Sequence, residues 1–479
     1  MNRQISHLFL FSVVLIAVLA GFTSWWSVWR ADALKDEPLN RRPLLEQQQI
    51  PRGLILARDG ARLAINKRLG TKPENRRYYR QYPEGSLFSH AIGYAFISRG
   101  SAGLEHSQNA VLSGTGGDLR SFIDEIAGGP DAGDDIRTTL DPQAQRAALA
   151  ALGSHKGAIV ALEPKTGAVR VMAAKPDFDP NRIPADYSQL NRAPGSPLFN
   201  RATQSSYPPG STFKVVTAAA ALDSGKYSPD SLISGRNNKP ISGVPLQNFG
   251  GEDFGSVSLT DALTHSVNTV FGEIGEKLGK STMFDYMDRF GFDRKPPLDY
   301  PKNQMFASGV YNRRKLLGSD DNVDIGRVAI GQERLQVTPL QMAQVAAAVG
   351  NGGRLMRPHF TDKIIGPDGT LKDRFHAQEQ SRVMSEKSAA DLTGMMTHVV
   401  ESGTGTAARL QGIDVAGKTG TAEAPGGFND AWFIAFAPAK DPKVAIAVVV
   451  EETQQSQTGG EVAAPLAAQV MRVLVSKNG

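Results

Sequence analysis

Apolar positions along this chain change their spacing several times, and each change predicts an element. From Leu8 to Trp29 no charged residue interrupts the apolar run. Those roughly 22 residues, at ~1.5 Å each, rise about 33 Å, enough to cross the hydrocarbon core of a bilayer. Trp25, Trp26 and Trp29 gather at one end, where indoles favour the water–lipid boundary. A cleaved leader ending at Ala31-Asp32-Ala33 is the rival reading. The length of the run and the bulky Trp residues before that site argue against it. Arg30, Lys35, Arg41 and Arg42 follow the run, and Arg3 with the terminal amine precedes it, so flanking charge does not favour an inside N-terminus.

Residues 31 to about 50 are polar and read as a stalk. Residues from about 51 to 150 are turn-rich, with short apolar runs such as Gly53-Leu-Ile-Leu-Ala57, and predict a small β-containing module. Asp141-Pro142 opens an Ala-rich helix ending near Leu152. Two apolar runs, Gly157 to Leu162 and Ala168 to Ala173, flank the turn Glu163-Pro-Lys-Thr-Gly167 and predict a hairpin. Similar runs recur at Ile413–Gly417, Ala431–Ala437 and Val444–Val450. Helical periodicity covers 211–222, 258–278, 338–349, 385–401 and about 461–475. Strands at both ends with helices between predict an α+β domain whose first and last strands share a sheet. The expected division is 1–30 for a short tail and membrane helix, 31–155 for stalk and pedestal module, and 156–479 for the main domain.

Composition narrows the chemistry. The 479 residues carry 53 Lys+Arg and 48 Asp+Glu, a formal charge of +5. That excess is small for the length, so it points to no nucleic acid and is compatible with anionic lipid or wall polymer. Cysteine is absent, which excludes Cys nucleophiles, disulfide scaffolds and Cys-ligated metal.

Three short patterns then stand in order: Ser211-Thr-Phe-Lys214, Ser266-Val-Asn268 and Lys418-Thr-Gly420. Lys165-Thr-Gly167 repeats the last one, but it falls in a hairpin turn. After the breaker Pro208-Pro-Gly210, Ser211 starts a helix that carries Lys214 on the same face one turn on. For that amine to act as a base it must be neutral; lowering a Lys pKa from ~10.4 to ~7 costs about 4–5 kcal/mol. Desolvation or a nearby cation, with Lys418 the candidate, can supply it. A neutral Lys214 could take the Ser211 proton and activate the hydroxyl. Asn268 inside a helix over 258–278 is unfavourable by a few tenths of a kcal/mol, which suggests a polar task. Lys418 to Thr421 is expected at the end of a strand, where Gly420 lets a substrate backbone approach.

With Arg52-Gly53, Arg58-Asp59-Gly60, Tyr207-Pro-Pro-Gly210, Gly331-Gln332 and Asp430-Ala-Trp-Phe433 added, the chain resembles the class B penicillin-binding proteins, membrane-anchored peptidoglycan D,D-transpeptidases. Tyr78-Tyr79, Tyr82-Pro-Glu-Gly85 and Gly103-Leu-Glu105 are similar to the actinobacterial penicillin-binding protein A subgroup. The resemblance implies a transpeptidase domain like that of the serine β-lactamases, with an antiparallel sheet flanked by helices. It implies Ser211 as nucleophile on a D-Ala–D-Ala stem peptide, Lys214 as base, and Ser266 with Lys418 passing a proton to the leaving amine. Asn268 would bind the donor amide, and Thr419, Gly420 and Thr421 the terminal carboxylate and oxyanion. No metal or organic cofactor is implied. The implied partners are donor and amine-acceptor stem peptides, β-lactams as covalent inhibitors, membrane lipid, and a glycosyltransferase or other division or elongation proteins. The catalytic domain would lie outside the cytoplasm.

Other features invite weaker readings. His265 beside Ser266 suggests a Ser–His pair, which neighbours about 100° apart on one helix would not form. Asp320 to Asp324 reads as a solvated acidic loop, since Ile325 stands where a calcium loop needs Gly. Arg76-Arg77-Tyr-Tyr-Arg80 reads as a solvated basic patch. A D,D-carboxypeptidase or β-lactamase would share the three motifs, although no E-x-x-L-N segment follows Ser266. A non-catalytic penicillin-binding scaffold or sensor would share them too.

Overall fold

The structure is a computed structural model that describes residues 2–25, 48, 50–71, 75–114, 132–424 and 426–476. Trp26, Trp29, the basic residues after them, most of the stalk, and the Gly-rich stretch 115–131 lie outside the described residues. The described residues fall into two units, one holding the N-terminal helix and the other 52–66 with 80 onward. The N-terminal helix is Asn2–Ser24, and its apolar span Arg3–Ser24 reaches a mean hydropathy of 2.4. It is long and apolar enough to be a single membrane anchor.

The second unit is organised by a five-stranded antiparallel sheet. Its order is Ala416–Ala424, Phe428–Ala437, Val444–Thr453, Gly157–Leu162, Val169–Lys175. The hairpin at 157–175 therefore shares one sheet with the last three strands, as the spacing of apolar runs predicts. Ala447 lies opposite Val160, and Trp432 opposite Val449. Side chains alternate between two faces. Trp432, Ile434 and Phe436 join a core that includes helices Lys214–Asp223 and Pro339–Gly350. Ala431, Phe433 and Ala435 join a second core under helices Pro142–Leu152 and Gly459–Ser476. Both faces are covered, so the four strands other than the edge strand Ala416–Ala424 read as largely apolar runs. Each fully buried Val or Leu contributes about 1.5–3 kcal/mol.

A smaller sheet lies in the pedestal region. Ile55 pairs in parallel with Ile136 and antiparallel with Ala64. The sheet also takes a hairpin from far along the chain: Thr361–Ile365 pairs with Asp135–Thr138, Ile364 opposite Ile136, and continues to Leu371–Arg374. Arg80 corrects the expectation of a solvated basic patch. It is buried and ion-paired with the buried Glu105, and its Nη1 donates to the Gly53 carbonyl at 2.8 Å. Arg52 reaches the other oxygen of the same carboxylate at 3.0 Å. Burial alone would raise the Glu105 pKa; the two guanidinium groups outweigh it and hold the carboxyl below its ordinary value. One carboxylate thus ties together three segments of the module.

Glu105→Gln keeps the side-chain volume and leaves the buried Arg80 and the half-buried Arg52 short of an anion. Breaking such a cluster is expected to cost about 3–5 kcal/mol, read as a displaced denaturant midpoint. A loss below about 1 kcal/mol would show that the cluster does not hold the module together.

Candidate active site

The site forms where the edge strand of the main sheet meets two helix starts. Pro208-Pro209 ends an extended segment. A 3-10 turn, Gly210–Phe213, carries Ser211, and helix Lys214–Asp223 follows directly. The predicted helix start at Ser211 is therefore a tighter turn that becomes α-helical at Lys214. Gly210 donates its N–H to the Gly331 carbonyl at 3.0 Å. A side-chain carbon at Gly331, whose φ is +78°, would sit 1.9 Å from the Gly210 carbonyl oxygen. That close approach accounts for the Gly331-Gln332 landmark.

The predicted single helix over 258–278 is two helices, Leu259–Thr264 and Asn268–Leu278. The first ends in a Schellman closure. Val267 N–H bonds the Ala262 carbonyl at 2.8 Å and Ser266 N–H bonds the Leu263 carbonyl at 3.2 Å. The left-handed position of this motif usually holds Gly; here it holds Ser266, at φ +59°. Asn268 consequently starts the second helix instead of lying within one. His265 and Ser266 do not share a helix either; the His265 ring stacks on Phe254 with centroids 6.1 Å apart.

Lys418, Thr419, Gly420 and Thr421 lie inside the edge strand Ala416–Ala424, a correction to their expected place at a strand end. Lys418 and Gly420 share the face turned to the Ser211 turn. A side-chain carbon at Gly420 would lie 2.8 Å from the Pro209 carbonyl and 3.1 Å from the Thr212 nitrogen. Gly is needed here for strand and turn to touch. Thr419 shares a 2.6 Å hydrogen bond with Thr404, and Thr421 Oγ1 accepts from Gly459 N–H at 3.1 Å.

Both lysines are fully buried, and both converge on one hydroxyl. Lys418 Nζ lies 3.0 Å from Ser266 Oγ and 3.0 Å from the Thr419 carbonyl. Lys214 Nζ lies 3.1 Å from Ser266 Oγ, 2.7 Å from the Ser266 carbonyl and 2.7 Å from Asn268 Oδ1. Asn268 Nδ2 donates to the Gln247 carbonyl at 2.9 Å, which fixes which amide atom faces the lysine. Burial drives the Lys214 pKa well below its ordinary value, and Lys418 lowers it further. Burial brings Lys418 down to about 7.

The hydrogen-bond inventory around Lys214 suits a neutral amine. The Ser266 carbonyl and Asn268 Oδ1 can only accept, so they take two N–H groups, while the Ser266 hydroxyl can donate to the lone pair. Lys418 then donates to the same Ser266 oxygen. The amines therefore crowd Ser266 at rest and not Ser211, whose hydroxyl has no hydrogen-bond partner among the described residues. Ser211 and Ser266 line one cleft of about 760 Å³, together with Asn268, Thr419, Gly420 and Thr421.

Several residues of the site do not stand out in the sequence. Thr404 follows helix Glu386–Glu401 in the run Ser402-Gly-Thr-Gly-Thr406, where flanking glycines are the available signal. Glu451 accepts from Tyr207 Oη at 2.5 Å and from Arg201 Nε at 2.8 Å, while Trp432 packs edge-on against Tyr207 at 5.8 Å. This brace holds the segment that leads into Ser211. Beside it, burial and the neighbouring Glu451 and Glu452 push the Asp430 carboxyl up to about 6. Asp324, from the acidic loop, caps a short helix by accepting from Arg327 N–H at 3.1 Å.

Residues 157–472 match the family described as penicillin binding protein transpeptidase domain, and residues 52–136 the penicillin binding protein A dimerisation domain. The peptidoglycan D,D-transpeptidase PbpA of Mycolicibacterium smegmatis is 37% identical over 97% of this chain and 97% of its own length. PbpA of Mycobacterium tuberculosis is 34% identical over 98% of both. The solved ceftriaxone acyl-enzyme complex of penicillin-binding protein A from M. tuberculosis superposes with TM-score 0.81 at 33% identity, over 90% of this chain and 100% of that one. With this match spanning both the pedestal and the catalytic region, the chain belongs to the class B penicillin-binding protein transpeptidases and resembles their penicillin-binding protein A subgroup.

Proposed function

We propose that the protein is a serine D,D-transpeptidase that cross-links peptidoglycan by acyl transfer and is acylated by β-lactams. The observation that carries this reading is one hydroxyl, Ser266, held between two buried amines beside a free Ser211. When a donor D-Ala–D-Ala amide enters, Lys214 takes the Ser211 proton and Oγ attacks the carbonyl carbon. The backbone N–H groups of Ser211 and Thr421 face the developing oxyanion. The C–N bond breaks, Ser266 passes a proton to the departing D-Ala amine and regains one from Lys214, 3.1 Å away, while Lys418 holds the Ser266 oxygen in place. An acceptor amine then attacks the ester, forms the new amide and returns the proton to Ser211. Asn268 holds the donor amide, and Thr419 and Thr421 hold its terminal carboxylate. The edge strand 416–424 offers unpaired backbone groups to an extended peptide.

Anchor and chemistry together suggest a bacterial plasma-membrane protein with its N-terminus in the cytoplasm and its catalytic domain outside. In this proposal 1–30 is tail and anchor, 31–155 stalk and pedestal, and 156–479 the transpeptidase domain. A glycosyltransferase that makes the strands is the fitting partner.

Fluorescent penicillin should label the wild type covalently, and Ser211→Ala should remove the label; a label that survives identifies a different nucleophile. Ser266→Gly relieves the left-handed strain, so it should raise stability by up to about 1 kcal/mol while slowing acylation by about 100-fold or more. A variant that loses stability would show that the hydroxyl outweighs the strain. Lys418→Met tests burial of charge. An unfolded Lys holds its proton up to ~10.4, whereas folded Lys418 releases it near 7. The folded state therefore binds fewer protons in that window, and its stability rises with pH. The cost of burying the charge is full below about 7. Lys418→Met should abolish acylation yet melt higher than wild type at pH 6–7, with the gain gone near pH ~10. A gain independent of pH would sink this account.

A further inference from the structure

A second cavity, of about 670 Å³, lies along the segment that leads to the cleft. Lys295, Phe306, Tyr311, Arg313, Arg314 and Arg334 line it, and Glu333 is the one carboxylate among its lining residues. Phe306 and Tyr311 present two rings with centroids 5.1 Å apart, tilted by 34°. Arg334 is already engaged with Glu333 at 2.9 Å and with the Asn322 carbonyl at 2.8 Å. Arg313 and Arg314 have no hydrogen bond or ion pair among the described residues, and both are exposed.

Their backbone placement is unusual. They form the two-residue turn of a hairpin in which Asn312 pairs with Lys315 and Tyr311 with Leu316. Arg313 has φ +56°. A two-residue turn with positive φ at its first position normally takes Gly there. An arginine held in that conformation without any partner marks a place where local preference has yielded to another demand.

The cavity also lies near the cleft. Ser206 lines the cavity, and Gly210 and Ser211 line the cleft. Gln332 lines the cleft, and its neighbour Glu333 the cavity. The two segments are tied by Tyr207 pairing with Val337 and by Gly210 donating to Gly331. Five residues separate Ser206 from Ser211, so at most about 17 Å of chain. A stem pentapeptide in extended form has the same reach.

We propose that this cavity is a subsite for the sugar-proximal, carboxylate-bearing part of the strand whose peptide end reaches Ser211. The rings offer faces for sugar C–H groups, and the two free guanidinium forks match carboxylates. The inference rests on the transpeptidase reading for the identity of the strand. It gives the enzyme a way to favour polymeric donors over free peptides without touching the reacting atoms.

The test uses the full chain in detergent. Three probes are compared: fluorescent penicillin, soluble uncross-linked glycan strands bearing pentapeptides, and the free pentapeptide. Arg313→Glu combined with Arg314→Glu should leave penicillin acylation within about twofold. It should weaken strand binding by about tenfold or more and slow free-pentapeptide turnover less, because the free peptide keeps the carboxylates but lacks the sugars. Arg313→Gly should raise the melting temperature and still weaken strand binding, which separates ligand loss from misfolding. Unchanged strand affinity in both variants overturns the subsite. So does an equal loss for the free pentapeptide, or retained strand binding with lost binding to phosphatidylglycerol vesicles, which would make the cavity a lipid contact. A wild type that binds strands through these arginines but is not acylated would sink the transpeptidase reading and leave the subsite standing.

Discussion

Two amines buried within about 3 Å of the same oxygen cannot both be charged cheaply. Lys214 and Lys418 each approach Ser266 Oγ at that distance, so they lie no more than about 6 Å apart. At an effective dielectric near 20, two unit charges at that separation repel by roughly 3 kcal/mol. Desolvation adds to this, since neither side chain is exposed. Both effects favour the neutral form of one amine, the form the proposed base needs. The sheet face, the Schellman closure and the helix start at Asn268 all serve to hold these groups where repulsion and burial act together.

Such an arrangement is unstable locally and must be held by the rest of the molecule. Ser266 occupies a left-handed position suited to Gly, and the lysines take no carboxylate partner among the described residues. The supports are correspondingly stiff. Trp432 and its neighbours fill one face of the sheet, Glu451 braces both Tyr207 and Arg201, and Gly331 and Gly420 allow backbones to meet without a side chain between them. The strain sits at the chemistry, and the packing that offsets it sits behind it.

Much of this is legible in the chain, and the failures have definable causes. Four of the five strands are readable because both of their faces are buried and they show as apolar runs, whereas the edge strand Ala416–Ala424, which carries Lys418 and Glu423, meets the apolar run at 413–417 only at its first two residues. The three motifs are readable because serine, lysine and asparagine stand where a helix or strand would rather have apolar residues. The break at 265–267 is not, because Val267 is buried and keeps the helical periodicity intact while neither Gly nor Pro marks the turn. The role of Arg80 is hidden for the complementary reason. Its partners, Glu105 and the Gly53 carbonyl, are distant in sequence, and a row of arginines and tyrosines looks the same whether solvated or clamped. The contribution of 361–374 to the pedestal sheet is equally invisible, since pairing partners leave no local mark.

The same distinction explains why the resting contacts of Lys214 differ from those that spacing suggests. Sequence spacing puts Lys214 one turn from Ser211, and helical geometry makes that pair the natural contact. In the folded chain the tight turn at 210–213 precedes the helix, and the Lys214 amine reaches across to Ser266 and Asn268 instead. In the proposed mechanism these resting contacts must yield before Ser211 can be deprotonated. Substrate binding changes them in that mechanism, because the donor amide would compete for Asn268 and its carboxylate for the hydroxyls and ammonium at 418–421. On those proposed roles, activation of the serine would be coupled to occupancy of the cleft.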